Sequence, residues 1–456
     1  MKELIKQQRA YFNTGVTRSV AFRKKQLKRL IEALLEHQTN LEKALYQDLR
    51  KSELEAYSTE IGITIADIEH NIKNLQKWSK PQCVKTPLFF MPGKSRIHAE
   101  PYGVALVIAP WNYPIKNLLG PAIGAIAAGN CVVLKPSEVS VNTSKALKVM
   151  FDEFFDKEYI HLVEGGVEET SQLLEEKFDY IFFTGGTQIG KIIYQAAAKQ
   201  LTPCTLELGG KSPSIVDKDV NLEVTAKRLV WGKFLNAGQV CVAPDYVFVH
   251  QEIKEKLIVA LKAAIKEMHG ENPKQSPFFG RIISDRHFER ISKLIEGDIV
   301  EGGETDASEK YIAPTIINNV KAEDKVMQEE IFGPIIPILT YNKVDEVVDF
   351  INKGEKPLAM YIFSKNKQFR DTIINNTSAG GVCINETVMH MVSPEMPFGG
   401  VGDSGNGSYN GIHGFNTFSH KKPVMTRSFL FDVPQKYPPY TTGKAKFLKF
   451  ALKRLL

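Results

Sequence analysis

Cys241 lies in the stretch FLNAGQVCVAPDY, after a helix-like segment and directly behind Asn236, Ala237, Gly238 and Gln239. A thiolate nucleophile needs an accessible position near helix ends or dipoles that lower its pKa, with small neighbours that admit a substrate. Taken alone, such a cysteine reads as a buried, inert thiol. Glu207, in LELGGKSP, ends an apolar run and is followed by Gly209 and Gly210. A carboxylate in that setting can sit in a cleft where burial raises its pKa, which suits a general base; its plain reading is a solvated acid at a strand end. Asn112, in WNYP, falls where a strand gives way to a helix. Its amide can donate to an oxyanion on an attacked carbonyl, together with the Cys241 backbone N–H, or the motif is only a turn with an aromatic packed beneath it. The three together describe acyl chemistry on a cysteine.

The elements that must position these groups show in the apolar texture. From Glu3 to about Lys80, apolar residues such as Leu27, Leu30, Ile31 and Leu34 recur at helical spacing among many charges. Between Lys80 and Pro101 short apolar pieces alternate with Pro81, Pro87, Pro92 and Gly93, an extended hairpin of the kind that serves assembly. VALVIAP, CVVLKP, Ile160 to Val163 and YIFFTG follow, separated by helix-like segments. Continuous apolar runs of that length are parallel strands buried on both faces, so an α/β, Rossmann-like domain is expected. A second α/β series runs from Ser212 through Tyr246–Val249, a helix over 252–268, and Tyr361–Ser364, and the Gly-rich stretch Pro397–Gly414 reads as loop.

Composition bounds the alternatives. The chain has 456 residues, 43% hydrophobic, enough for two or three domains with large cores. Its formal charge is +6, and Lys444, Lys446, Lys449, Lys453 and Arg454 supply five of those charges, so the body carries no nucleic-acid surface. Five widely spaced cysteines with no C-x-x-C pair or zinc spacing predict free thiols in a reducing cytoplasm and no metal site. The charged N-terminus lacks a signal-peptide core, and no apolar run is long enough to span a membrane.

WNYP, LKPSE, FTGGTQIG, LELGGKSP, GQVC and EEIFGP occur in an order and at spacings that resemble the aldehyde dehydrogenase superfamily, from the first helices to about residue 425. The absence of a long N-terminal extension and the sequence VAPDY after the cysteine resemble its class 3 and fatty aldehyde members. The resemblance implies a catalytic set of Cys241, Glu207 and Asn112, with Glu330 as a rival base, and oxidation of a medium- or long-chain aliphatic or an aromatic aldehyde through a thioester. It implies NAD as cofactor, with NADP possible, and a homodimer. Lys135 and Glu138 of LKPSE match positions beside the adenosine ribose; Glu330 and Phe332 match those around the nicotinamide ribose. Gly185 to Gly190 carries Thr187 where dinucleotide-binding turns usually have their second glycine, a tight turn that holds the pyrophosphate less closely. The implied division is an NAD(P)-binding domain (1–80 and 101–207), a catalytic domain (208–414), oligomerisation strands (81–100 and 415–430) and a basic tail (431–456).

Rival readings fail on missing parts. Gly185–Lys191 spells G-x-x-x-x-G-K, but residue 192 is Ile, which removes the magnesium-binding hydroxyl of a P-loop. Gly402–Gly405 has the look of a serine-protease loop, yet Asn406 follows it and no histidine and aspartate stand in that order. A catalytically inactive NAD-binding protein on the same fold is the remaining alternative. In the tail, Phe447, Leu448, Ala451, Leu452 and Leu455 form a helical stripe flanked by cations, suited to an anionic membrane surface (residues 443–456), to a lid over the substrate funnel, or to docking on the body.

Overall fold

A computed structural model describes residues 1–454. Two parallel sheets organise the chain. The first has the order Gly405–Asn406, Cys204–Glu207, Tyr180–Thr184, Val104–Ile108, Cys131–Lys135, Ile160–Leu162. Its strands are parallel except the short Gly405–Asn406 segment, which runs antiparallel to Cys204–Glu207. All residues of VALVI, CVVLK and YIFFT are buried, as helices covering both faces require. The chain starts at the central Val104–Ile108 strand, moves outward on one side, then crosses to Tyr180–Thr184 on the other. That reversal opens a crevice at the carboxyl ends of the two strands, which continue into WNYP and into Gly185–Gly186.

The second sheet has the order Asp298–Glu301, Thr315–Asn318, Ile335–Tyr341, Tyr246–His250, Pro213–Val216, Ala359–Phe363, Gly381–Ile384, parallel except for its first pair. Gly209 and Gly210 link Glu207, at the end of a first-sheet strand, to the start of the second sheet at Pro213. Cys241 and Glu330 lie just ahead of Tyr246–His250 and Ile335–Tyr341. One sheet thus delivers its groups from carboxyl ends and the other from amino ends.

The N-terminal region is helical, with Val20–Glu36, Gln38–Leu49 and Gly62–Trp78 as its longest later elements. The last packs on Lys116–Ala128, a helix buried along its whole length. The expected hairpin is present as Gln82–Val84 against Gly93–Pro101, and Ser419–Arg427 completes a three-stranded antiparallel sheet. The tail forms the helix Thr442–Arg454, in which Ala451 is buried while Phe447, Phe450 and Leu452 are exposed. Leu455 of the expected stripe lies outside the described residues.

The Gly-rich stretch is not all loop. Gly405–Asn406 joins the first sheet opposite Glu207 and Leu206, and Gly411–Thr417 is a helix. Gly405 takes φ 132° and ψ −169°, a region open in practice only to glycine, and a Cβ there would lie 2.1 Å from the Leu206 carbonyl oxygen. Glycine here lets a strand pair closely, which composition alone reads as flexibility. Gly405→Ala is expected to destabilise the protein by about 1–3 kcal/mol from backbone strain alone and to loosen the strand carrying Glu207; thermal denaturation and the steady-state rate check this, and an unchanged melting temperature contradicts it.

Candidate active site

After the helix Leu222–Phe234, the chain reverses through three consecutive left-handed residues, Asn236 (φ 50°), Ala237 (φ 52°) and Gly238 (φ 77°). Left-handed backbone costs about 1–2 kcal/mol per non-glycine residue, so the turn must be held. The Glu55 carboxylate accepts the Asn236 N–H at 2.9 Å, and burial pushes the Glu55 carboxyl up. The Gln239 amide donates to the Asn236 carbonyl (3.0 Å) and the Arg281 carbonyl (2.9 Å) and accepts from the Ile283 N–H (3.0 Å). At Gly238 a Cβ would stand 2.3 Å from the Gly333 carbonyl oxygen, so the GQVC and EEIFGP segments touch backbone to backbone. Cys241 emerges from this turn half-buried.

A cavity of about 360 Å³ lies where the two sheets meet. Asn112, Glu207, Cys241, Glu330, Phe332 and Gly185 line it, with Thr184, Trp111, His287 and Arg290. Glu207 is 1% exposed and neither of its oxygens has a hydrogen-bond partner of ordinary geometry. Burial pushes its carboxyl up to about 7, with the Cys241 thiol and the Thr184 hydroxyl facing it and partly opposing that rise. Glu330 is raised to about 8, by burial first and then by Asp245. Its carboxylate lies over Gly209, where a Cβ would come within 2.1 Å of it, and the Gly210 backbone and Lys211 beside it partly oppose that rise.

The thiol differs from expectation. Burial, followed by the carboxylates of Glu207 and Glu330, holds the Cys241 thiol well above the ordinary cysteine value. Helix ends and dipoles do not produce a standing thiolate here, because the groups facing the sulfur are acids rather than cations.

Asn112 is 2% exposed. Its side-chain amide donates to the Gln239 carbonyl at 3.0 Å, and its backbone carbonyl accepts from Asn236 Nδ2 at 2.9 Å and from Lys51 Nζ at 3.0 Å. One amide N–H is thereby used to tie WNYP to the turn before Cys241, leaving the second for an oxygen in the cavity.

The remaining expected residues lie along the carboxyl edge of the first sheet. Gly186 caps the helix Thr187–Lys199 without a side-chain hydrogen bond, leaving the helix N–H groups beside the cavity, and no atom lies within 4 Å of a Cβ built at Gly186. That open, uncapped terminus fits a dinucleotide phosphate. Thr187 donates to the Asp403 carbonyl at 3.4 Å, and Gly190 packs on Leu208, where a Cβ would come within 2.7 Å. Lys135 is buried at the end of its strand, donating to the Pro136 carbonyl at 2.9 Å and the Gly165 carbonyl at 2.5 Å. Burial lowers its pKa, while Glu138, Glu169 and Glu164 counter the shift. Lys135, Glu138, Thr187 and Gly190 do not line the 360 Å³ cavity. Among the described residues no cluster of three His, Cys, Asp or Glu could hold a metal ion.

Several cavity residues escaped the sequence reading. Trp111 lies tilted against His287 (centroids 4.9 Å) and edge-on to Phe332 (5.4 Å). Arg290 donates to the Ile331 carbonyl at 2.7 Å and to Glu329 at 3.0 Å, bracing EEIFGP. His287 and Arg290 share a short helix, Asp285–Ser292, with no spacing that distinguishes it from a surface helix.

The model of the aldehyde dehydrogenase family matches residues 1–424. Among similar proteins, 4,4'-diaponeurosporen-aldehyde dehydrogenase of Staphylococcus aureus is 48% identical over 97% of this chain and 96% of its own. A dog protein named aldehyde dehydrogenase, dimeric NADP-preferring, is 45% identical over 96% of this chain and 98% of its own. The substrate-bound structure of Staphylococcus aureus AldH superposes with a TM-score of 0.97 at 46% identity, covering 99% of both chains. This chain therefore belongs to the aldehyde dehydrogenase family and is an NAD(P)-dependent oxidoreductase acting on aldehydes.

Proposed function

We propose that Cys241 is the nucleophile, Asn112 the oxyanion donor and Glu207 the general base. The observation that carries this is the single cavity holding all three, with an unpartnered Glu207 carboxyl near 7 facing the thiol. Glu207 takes the thiol proton, and the Cys241 sulfur bonds to the aldehyde carbon. The oxyanion is met by the free Asn112 amide N–H and the Cys241 backbone N–H. The nicotinamide cofactor, when bound, supplies the hydride acceptor. As the C–O⁻ collapses to a carbonyl, a thioester remains on Cys241. Glu207, having released its first proton to solvent, accepts one from water, whose oxygen attacks the thioester carbon; the C–S bond breaks and the thiolate leaves with the carboxylic acid released. Glu330 is the rival base, and we place it second because the Cys241 thiol faces Glu207 directly, whereas Lys211 and the Gly210 backbone lie beside Glu330. No observation favours an inactive relative.

For the cofactor, the uncapped helix at Gly186 and the turn Gly185–Gly190 suit the pyrophosphate, and Lys135 with Glu138 the adenosine ribose. Carboxylates around Lys135 disfavour a 2′-phosphate, so NAD is preferred over NADP. Phe332 and Glu330 stand at the cavity end suited to the nicotinamide ribose. Medium or long aliphatic and aromatic aldehydes are the substrate class we infer from the family resemblance. One relative is named for its own aldehyde, 4,4'-diaponeurosporen-aldehyde. The six-stranded sheet, apart from Gly405–Asn406, suits the cofactor unit (1–80, 101–207), the seven-stranded sheet the catalytic unit (208–414) and the three-stranded sheet the assembly unit (81–100, 415–430). The Ser419–Arg427 strand is a free sheet edge on which a second copy can pair, giving the homodimer. Among the described residues no helix is long and apolar enough to cross a membrane. The cationic tail, with Phe450 and Leu452 exposed and with Phe429 and Leu430 at 107% and 96% exposure nearby, suits peripheral contact with an anionic surface.

Cys241→Ala is expected to abolish aldehyde-dependent cofactor reduction, and retained turnover refutes the nucleophile. With Glu207→Gln we expect one burst of reduced cofactor and then a steady-state rate lower by about 10²–10⁴-fold; an unaltered steady state moves the base elsewhere. Only the carboxylate accepts the water proton, so kcat should rise as pH increases through about 7 and level above it. That limb should vanish in Glu207→Gln; its survival there and loss in Glu330→Gln would assign it to Glu330. Vesicle sedimentation tests the tail: truncation at residue 442 should remove binding to anionic liposomes, and equal binding by both forms ends the membrane reading.

A further inference from the structure

Beneath the WNYP turn lies an ion pair with no exposure to solvent. Lys51 and Glu60 are both 0% exposed, with Nζ and Oε1 2.5 Å apart. The pair grips the turn at both ends. Lys51 Nζ donates to the Asn112 carbonyl at 3.0 Å and sits 3.8 Å from the centroid of the Tyr113 ring. The second Glu60 oxygen accepts the Ile115 N–H at 2.8 Å and the Lys116 N–H at 3.3 Å. The Asn112 carbonyl that Lys51 holds also receives Asn236 Nδ2, which bonds the Gln239 carbonyl at 3.2 Å; that carbonyl in turn receives the Asn112 side-chain amide at 3.0 Å. This ring closes on itself; Lys51 bonds it at the Asn112 carbonyl, and Glu55 accepts the backbone N–H of Asn236.

A buried ion pair is a weak source of stability, since desolvating two charges offsets most of their attraction and apolar replacements often serve as well. Its distinctive effect is directional: an ammonium with three donors fixes acceptors in space. Here the fixed acceptor is the carbonyl of the residue whose side chain faces the cavity.

We propose that Lys51 is a positioning residue for the acylation half of the reaction, aiming the Asn112 amide by clamping its backbone carbonyl against the nucleophile turn. The proposal rests on the assignment of Asn112 as oxyanion donor. Lys51 touches neither aldehyde nor cofactor; it acts through Asn112. Misplacing an oxyanion donor slows formation and collapse of the tetrahedral adduct while leaving cofactor binding alone.

The test compares Lys51→Met, the charge-balanced Lys51→Met/Glu60→Gln and Asn112→Ala in the full chain, using stopped-flow reduction of NAD with a saturating aldehyde. The double variant removes the uncompensated carboxylate that could unfold the single one. A burst rate constant about 10–100-fold lower is expected in both Lys51 variants, with an isotope effect from aldehyde deuterated at C1 and an unchanged Kd for NAD. A folded double variant whose burst rate constant stays within twofold of wild type overturns the proposal. So does a loss confined to burst amplitude and melting temperature without an isotope effect, the pattern of a purely structural role. If Asn112→Ala leaves the burst rate constant unchanged, the oxyanion assignment fails first, and this proposal with it; if Asn112→Ala slows the burst and the Lys51 variants do not, only the Lys51 role fails.

Discussion

Two carboxylates and a thiol share one cavity, and Glu207, the one closest in character to a base, is 1% exposed and faced by the Cys241 thiol and the Thr184 hydroxyl. Raising a carboxyl from its ordinary value to about 7 amounts to on the order of 3 kcal/mol of unfavourable burial at neutral pH. Such a site does not assemble itself. The two parallel sheets, the buried helix Lys116–Ala128 and the locked turn at Asn236–Gly238 supply the rigidity that keeps the acids and the sulfur together.

The arrangement also explains why Cys241 is not a standing thiolate. With acids rather than cations around it, Cys241 keeps its proton until a neighbour accepts it. Glu207, poised near neutrality, can accept that proton and later one from water. The same burial that destabilises the Glu207 carboxylate suits it to the proposed role of base; the Cys241 thiol and Thr184 hydroxyl face it, whereas the Gly210 backbone and Lys211 lie beside Glu330.

The site belongs to neither sheet. Carboxyl ends of first-sheet strands bring Asn112, Gly185 and Glu207; segments ahead of second-sheet strands bring Cys241 and Glu330. Gly209 and Gly238 stand where these segments cross, and a side chain at either would collide with the EEIFGP segment. Third among the contributors is the N-terminal helical region, whose Glu55, Lys51 and Glu60 reach under both WNYP and the turn before Cys241.

Much of this was legible in the chain itself. Unbroken apolar runs such as VALVI and YIFFT specify strands covered on both faces, and the ordered motifs identify the family and the cavity residues Asn112, Glu207, Cys241 and Glu330, because local backbone and chemical type are written in neighbouring residues. What only the tertiary structure decided are the long-range terms. Gly405 became a strand, since its need to approach Leu206 lies some 200 residues away in sequence. The Cys241 pKa went up rather than down, because its sign depends on which charges fold against it. Lys51 and Glu60, ordinary helix-region charges in sequence, became a solvent-free clamp on Asn112, because burial and pairing are properties of the packed molecule and not of any one segment.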